Sequence, residues 1–193
     1  MNIPKRLVLA SQSPRRASLL RQIGLTFDII PSHISEDHVN DRRPHEIVLT
    51  LSRAKAYEIA QSVQNAIIIG ADTVVVLDGK ILGKPITPTE AITMLHSLSG
   101  REHEVYTGFT LLDTPSMQEV SSYEKTLVRF RHLHDEEIAS YVASGSPMDK
   151  AGAYGIQDDY GAVFVESITG CFYNVVGFPL TKFFVTLQEF LST

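Results

Sequence analysis

The sequence predicts an α/β fold, and three features of its pattern support this prediction. Short apolar runs typical of buried strands alternate with segments whose apolar residues recur at helical spacing. Proline and capping residues stand before the helical segments, and glycine follows several of them. The 193 residues contain no internal repeat and no long linker. Such a chain is expected to form one α/β domain, or one domain with two lobes.

The first half of the chain begins with a strand that leads directly into a helix. Leu7–Ala10 is a short apolar run, and Pro14 opens a helical pattern that Gly24 closes. The further expected elements are a strand at 26–31, a polar loop at 32–43, a helix from Pro44 to about Val63, and strands at 66–69 and 74–77. Asp78–Gly79 predicts a hairpin turn after the last of these strands.

The second half begins with a clear helix signal. Thr87 and Glu90 form a capping-box pattern, and Gly100 ends the helix that follows. The further expected elements are strands at about 103–112 and 119–131, a helix at about 135–143, a Gly-rich functional loop at 145–161, a hairpin at about 161–177 and a helix from about Pro179. The hairpin is expected to turn at Thr169–Gly170.

Composition excludes several classes of protein. The net charge of -5 argues against a protein that coats nucleic acid, although clustered cations can still bind a nucleotide. Cys171 is the single cysteine, so an intramolecular disulfide or a multi-cysteine metal site is not expected. The sequence shows neither a signal-peptide pattern nor an apolar stretch of about 18 residues. We therefore expect a cytoplasmic protein that binds no membrane and no nucleic acid polymer.

Two arginines at the start of the first predicted helix indicate an anion site. The positive end of a helix dipole disfavours cations in the first turn, yet Arg15 and Arg16 stand there beside the hydroxyls of Ser11 and Ser13. An anion in front of the helix would make this arrangement favourable, because guanidinium groups suit phosphate oxygens. The alternative is a solvated pair of arginines behind an ordinary Ser13 cap.

Asp72 is the candidate for metal binding or acid–base chemistry. It lies between two apolar runs, where an ionised carboxylate needs a cation, a metal or a polar cleft. Its hard oxygens suit Mg²⁺ or Mn²⁺, and as a base it could activate water. The alternative is an Asx-turn in which Asp72 caps nearby backbone N–H groups.

Other polar residues give weaker signals. Lys55, Lys84 and Lys150 occupy special positions, although a single lysine is more often a surface charge. Glu36 and Asp37 in the polar loop could share a cation with Asp72, or could simply be solvated. The histidines show no metal-ligand spacing and are expected to be surface or structural residues. Tyr154 and Phe172 could stack on a base, although aromatic residues near hairpins more often belong to the core.

Four segments of the chain are informative when they are considered together, and they are 7–16, 70–73, 98–108 and 149–157. The first, Leu-Val-Leu-Ala-Ser-Gln-Ser-Pro-Arg-Arg, and the last, Asp-Lys-Ala-Gly-Ala-Tyr-Gly-Ile-Gln, are the most specific. Together the four segments resemble the Maf-like family of nucleoside triphosphate pyrophosphatases, which is named for septum-formation inhibition. The resemblance covers nearly the whole chain.

The resemblance implies a fold, a reaction and a set of site residues. The fold would be elongated and two-lobed, with a central mixed twisted sheet flanked by helices, an active-site cleft between the lobes and a possible homodimer. The reaction would convert dTTP or UTP to the monophosphate and pyrophosphate, with a house-cleaning role against non-standard nucleotides. Asp72 matches the family's proposed catalytic base. Glu36 matches an acidic residue of the catalytic site, which would share a divalent cation, Mg²⁺ or Mn²⁺, with Asp72. The triphosphate would be held by Ser11, Arg15, Arg16, Lys55 and Lys84, and the base choice would be set by Arg15, Thr73 and Gln157.

Two departures from the family pattern affect metal affinity and base choice more than the reaction. Ser35 stands where many relatives carry an acid, and the segment after Gln157 is longer and more acidic than usual. Three rival functions stay open at this point. They are a non-catalytic nucleotide-binding regulator of septum formation, a purine-specific pyrophosphatase, and a phosphatase that releases orthophosphate.

Overall fold

A computed structural model describes residues 3–34, 42–157 and 160–192. The strands within these ranges are β1 Arg6–Ala10, β2 Asp28–Ile29, β3 Ala66–Leu77, β4 Lys80–Leu82, β5 Glu102–Asp113, β6 Glu119–Phe130 and β7 Val165–Thr169. The helices are α1 Pro14–Gln22, α2 Pro44–Ala60, α3 Pro88–Leu98, α4 Asp135–Ala143, α5 Phe172–Val176 and α6 Leu180–Ser192. Three short 3-10 helices lie at Ser146–Asp149, Ala151–Ala153 and Tyr160–Phe164.

A seven-stranded mixed sheet organises the fold, which confirms the predicted α/β class with flanking helices. The strand order is β2-β1-β3-β5-β6-β7, and β4 pairs with β3 outside this order. Strand β1 is parallel to both β2 and β3, whereas the β3–β4 and β6–β7 pairs are antiparallel. The mixture of parallel and antiparallel pairs follows from connections of two kinds, helical crossovers and short hairpins.

Local sequence signals place most of these elements where they were predicted. Ser13 caps α1 by accepting a hydrogen bond from the backbone of Arg16, and Gly24 follows the helix with a φ of 77°. Thr87 caps α3 in the same way. Asp78 and Gly79 both adopt positive φ, as the tight turn between β3 and β4 requires. These signals act within a few residues, so the sequence alone reveals them.

Three strand predictions need correction. Residues 66–77 form one continuous strand, so Asp72 lies inside β3 and not in a break or an Asx-turn. The predicted hairpin at 161–177 is wrong, because β7 pairs with β6 and the chain then enters α5 instead of returning as a strand. The strand predicted at 26–31 contains only the two residues of β2.

The chain divides into two compact units, each with its own apolar core. The first unit comprises Met1–Asp72, Thr107–Glu124 and Gly177–Thr193, and the second comprises Thr73–Tyr106 and Lys125–Val176. The first core includes Val8, Ala56, Ile68 and Leu112, all buried. The second core includes Leu95, Phe130, Ile138 and Phe164. No helix among the described residues combines the length and apolar character that crossing a membrane requires.

Candidate active site

The candidate site lies at the end of β1, beside strand β3, which continues past that point. Strands β1 and β3 run parallel, with Ala10 opposite Gly70, and β3 extends beyond this point. Ser11 therefore follows β1 next to the part of β3 that contains Ala71 and Asp72. The carboxyl end of a parallel strand is where α/β sheets usually bind ligands. The first unit thus places a predicted phosphate-binding residue beside the predicted base.

Arg16 joins three segments of the first unit by hydrogen bonds. Its Nη1 donates to the Ser11 hydroxyl and to the Ala71 carbonyl, at 3.0 Å each. Its Nε donates to the Gly177 carbonyl at 3.0 Å, and only 9% of the residue is exposed. A guanidinium group suits this task because its donors form a rigid fork. The solvated-arginine alternative is therefore wrong for Arg16, whose first role is to hold the site together.

Lys55 and Asp72 form a buried ion pair. The Lys55 ammonium lies 2.6 Å from Oδ1 of Asp72, and the two side chains are only 10% and 6% exposed. The surface-lysine alternative is wrong for Lys55, which lies on the sheet-facing side of α2. The contact links two predicted site residues that are 17 positions apart. Because Ala71 and Asp72 are consecutive, the Arg16 contact and this ion pair meet on neighbouring residues of β3.

Two glycines allow α2 to lie directly on the sheet. A Cβ atom on Gly70 would stand 2.0 Å from the Ser52 carbonyl oxygen, and one on Gly108 would stand 2.6 Å from the Val48 carbonyl oxygen. Any larger residue would therefore push α2 away from β3 or β5. The sequence contained this signal, since a glycine inside an apolar strand often marks a close backbone approach. No comparable pattern in the sequence indicates that the Ala71 and Gly177 carbonyls accept hydrogen bonds from Arg16.

The remaining predicted residues are distributed as follows. Arg15 is half-buried in the first turn of α1, in the first unit. Thr73 is half-buried, and Lys84 and Gln157 are exposed; all three belong to the second unit. Glu36 lies outside the described residues. The structure thus brings Ser11 to Arg16 and Lys55 to Asp72, while the roles of Lys84, Thr73 and Gln157 stay predictions.

A cavity in the second unit does not match the predicted chemistry. It measures about 220 Å³, and none of the predicted site residues lines it. Its wall includes three carboxylates, Asp78, Glu102 and Glu104. Two of these carboxylates pair with Arg101 and Lys125, but no Lys or Arg among the described residues lines the wall, so it lacks the cations that a triphosphate needs. The cavity is therefore not the candidate site.

Comparison with known proteins identifies the family. The family model described as Maf-like protein matches residues 6–190. The chain belongs to the Maf-like family. A dTTP/UTP pyrophosphatase of Carboxydothermus hydrogenoformans is 52% identical over 184 residues, which make up 95% of this chain and 98% of that protein. Proteins of the same name from Acetivibrio thermocellus and Caldicellulosiruptor bescii are 47% and 46% identical, with 96% of this chain covered and 95% and 94% of theirs.

The donor atoms of this Maf-like chain fit a divalent cation in part. Asp72 offers carboxylate oxygens, the ligands that Mg²⁺ and Mn²⁺ prefer, and Mg²⁺ commonly binds through one or two carboxylates while keeping several waters. Within residues 3–34, 42–157 and 160–192, no group of three or more His, Cys, Asp or Glu side chains is arranged to hold a metal ion. One carboxylate ligand plus substrate oxygens and water is therefore the arrangement compatible with the described residues.

Proposed function

We propose that this Maf-like chain is a nucleoside triphosphate pyrophosphatase that hydrolyses dTTP and UTP to the nucleoside monophosphate and pyrophosphate. One combined observation carries the proposal. The buried Lys55–Asp72 pair stands beside the Ser11–Arg16 contact, in a chain that is 52% identical to a dTTP/UTP pyrophosphatase over almost its whole length. Its cellular task would be the removal of surplus or non-standard nucleotides.

Asp72 is proposed to act on the attacking water. Its carboxylate would orient the water for in-line attack on the α-phosphorus and accept a proton from it. Lys55 holds one carboxylate oxygen at 2.6 Å, so the orientation of the carboxylate is fixed before substrate arrives. Fixed orientation of this kind lowers the reorganisation needed in the transition state.

Charge balance requires cations beyond Lys55. The Lys55–Asp72 pair has no net charge, and the donors of Arg16 that are described above already bond to protein acceptors. Arg15 and Lys84 are therefore proposed as the main protein cations for the departing pyrophosphate. We also propose a divalent cation, Mg²⁺ or Mn²⁺, with Asp72 and Glu36 as its protein ligands. When bound, such a cation neutralises phosphate charge and polarises the phosphoryl oxygens.

Base recognition is proposed to involve Thr73 and Gln157. The Gln157 amide has both a donor and an acceptor, which is what the edge of uracil or thymine requires. Its exposure leaves the amide accessible to a ligand. A purine-specific enzyme is less compatible with a chain whose relatives of 46–52% identity carry the name dTTP/UTP pyrophosphatase.

The decisive experiment separates the reaction class from mere binding. Purified protein is incubated with a panel of nucleoside triphosphates and Mg²⁺, Mn²⁺ or EDTA, and pyrophosphate and orthophosphate are quantified separately. We expect dTTP and UTP to give monophosphate and pyrophosphate, and EDTA to abolish turnover. Orthophosphate as the product would instead indicate a phosphatase, and full activity in EDTA would contradict the proposed metal.

A matched pair of aspartate variants tests the proposed base. Asp72→Asn should abolish turnover, whereas Asp113→Asn should keep it. Asp113 is a suitable control because it is also buried and also pairs with a lysine, Lys5, at 2.6 Å. Circular dichroism on both variants establishes that each is folded. Equal loss in both would show that the Asp72 effect is structural.

The rival function is a nucleotide-binding regulator of septum formation that does not turn its ligand over. Calorimetry distinguishes the two, because a regulator would bind dTTP or UTP and yield no product with either metal. We further propose that the protein acts in the cytoplasm as a homodimer. Light scattering on the purified protein tests the dimer, and a monomeric mass at assay concentration would overturn it.

A further inference from the structure

The segment that leads to Gln157 is anchored within the second unit. Gly152 N donates to the Gly83 carbonyl at 3.0 Å, next to Lys84. Gly155 N donates to the Tyr141 hydroxyl at 3.2 Å. Gln157 lies two residues after Gly155 and is itself exposed. The placement of Gln157 therefore follows from how firmly residues 150–155 are held.

Tyr154 supplies the deepest of these anchors. Its hydroxyl is 2.8 Å from Nε2 of His103, and the two residues are 6% and 2% exposed. Phe130 packs edge-on against both rings, with centroid distances of 5.0 Å to His103 and 4.7 Å to Tyr154. Burial lowers the pKa of His103 to about 4, so the imidazole is neutral at neutral pH. A neutral hydrogen bond inside an aromatic cluster thus fixes the depth of the Tyr154 ring.

Stability alone does not account for this polar pair. The Nδ1 atom of His103 is buried and has no hydrogen-bond partner within the described part of the chain. A buried polar atom without a partner costs about 1–3 kcal/mol, a cost that an apolar pair of similar size would avoid. What the hydrogen bond provides is one defined position for the Tyr154 ring and for the backbone attached to it. Polar groups in a core often specify geometry in this way.

We propose that His103 and Tyr154 are positioning residues for base preference: they hold the segment 150–157 so that Gln157 meets the pyrimidine base. The inference rests on the proposed function. If the ring shifts, the Gln157 amide loses its alignment, whereas four of the five groups proposed to hold the triphosphate belong to the first unit. Loss of the hydrogen bond should therefore weaken pyrimidine binding and leave the chemical step unchanged. A loss of uniform binding of this kind raises KM and spares kcat.

The test compares two tyrosine variants that undergo the same chemical change. Tyr154→Phe removes the hydroxyl that contacts His103. Tyr106→Phe is the matched control, because its hydroxyl is also in the second unit and donates to Glu104 at 2.9 Å. We measure kcat and KM for dTTP, UTP, ATP and GTP. Tyr154→Phe should raise KM for dTTP and UTP by about fivefold to tenfold, the effect of one lost hydrogen bond, with kcat and the purine values kept. Tyr106→Phe should change none of these.

A second pair of variants keeps the inference open to refutation if Tyr154→Phe folds poorly. His103→Gln retains an amide that can hydrogen-bond the Tyr154 hydroxyl, whereas His103→Leu does not. We expect His103→Gln to keep more of the pyrimidine preference than His103→Leu. Equal preference in the two, or an unchanged KM in Tyr154→Phe, would overturn the inference.

The same variants separate this inference from the proposed function. If the wild-type protein turns over no nucleotide, the proposed function fails, and calorimetric binding of UTP and GTP replaces the kinetic readout. Binding of UTP that weakens relative to GTP in Tyr154→Phe would still support the positioning role. Unchanged relative binding, or equal weakening for both nucleotides, would overturn it.

Discussion

Breaking the buried ion pair of the candidate site should destabilise the protein far more than breaking a similar pair elsewhere. Lys55–Asp72 and Lys5–Asp113 both have an N–O distance of 2.6 Å. The side chain of Lys55 is 10% exposed and that of Lys5 is 33% exposed. Removing one partner of a buried pair costs about 3–5 kcal/mol, because it leaves an uncompensated buried charge. In the Lys5–Asp113 pair only the carboxylate is buried, and water reaches the lysine, so this pair should contribute less, nearer the roughly 0–1 kcal/mol of surface pairs.

Urea-induced unfolding followed by circular dichroism measures the difference. Lys55→Met should remove the ammonium that neutralises the buried Asp72 carboxylate and lower the free energy of unfolding by about 3–5 kcal/mol, with Tm falling by roughly 6–20 °C. Lys5→Met should cost clearly less, about 1 kcal/mol, because water already reaches Lys5 and Asp113 keeps its hydrogen bond from the Ser116 hydroxyl. The double variant Lys55→Met/Asp72→Asn should cost less than the sum of its two single changes, by about 2 kcal/mol or more, because neither buried charge remains.

The functional readout of the double variant completes this test. It should be folded and inactive, which separates the role of the Lys55–Asp72 pair in the reaction from its role in stability. Burial does not make the pair costly to break if Lys55→Met costs no more than Lys5→Met, or if the two single changes at the pair are additive. Either result would mean that water reaches the pair and screens it.

Two further predictions concern His103 and Gly70. Burial lowers the pKa of His103 from 6.5 to about 4, so only the unfolded chain gains a proton between these pH values. The contribution of His103 to the free energy of unfolding should be complete above pH 6.5 and should fall by about 3 kcal/mol towards pH 4. Urea unfolding over this pH range should show a smaller fall in His103→Gln than in the wild type, and equal pH dependence in the two would contradict this. Gly70→Ala, whose Cβ would stand 2.0 Å from the Ser52 carbonyl oxygen, should cost about 3 kcal/mol or more. Gly83→Ala, which meets nothing within 4 Å, should change stability by less than about 0.5 kcal/mol, and similar values for the two would contradict the close approach.

The parts of the fold that the sequence predicts are those that local chemistry decides. Ser13 and Pro14 start α1, and Asp78–Gly79 turns β3 into β4, through hydrogen bonds and φ angles of the residues themselves. The α/β class follows from the alternation of such elements, so one chain reveals it. No distant partner is needed for any of these decisions.

The strand that contains Asp72 was predicted wrongly because a distant residue, and not local chemistry, decides the structure there. A carboxylate between two apolar runs indicates a break if only the local pattern is considered. The structure keeps β3 continuous because Lys55 from α2 neutralises the carboxylate inside the sheet region. Lys55 is 17 positions away from Asp72, and nothing in the sequence pattern indicates that the two residues pair. Tertiary contacts override local preference at such positions.

The hairpin predicted at 161–177 failed through a similar long-range contact. Thr169–Gly170 resembles a hairpin turn, and Gly170 does adopt a φ of 128°. The next residue, however, is held by Thr126, whose hydroxyl accepts a hydrogen bond from Cys171 N at 3.1 Å. The chain therefore turns into α5 along β6 instead of forming another strand.

The position of Lys55 depends on two glycines, Gly70 and Gly108, which have no Cβ atom. Because neither residue has a Cβ, the α2 backbone approaches β3 and β5 closely enough for a lysine to reach Asp72. A larger residue at either position would lift α2 by a few tenths of an ångström or more, and an ion pair at 2.6 Å tolerates such a shift less well than apolar packing does. The site should therefore lose its geometry before the first core loses its packing. The two glycines are thus as much a part of the candidate site as the charged residues that the motifs reveal.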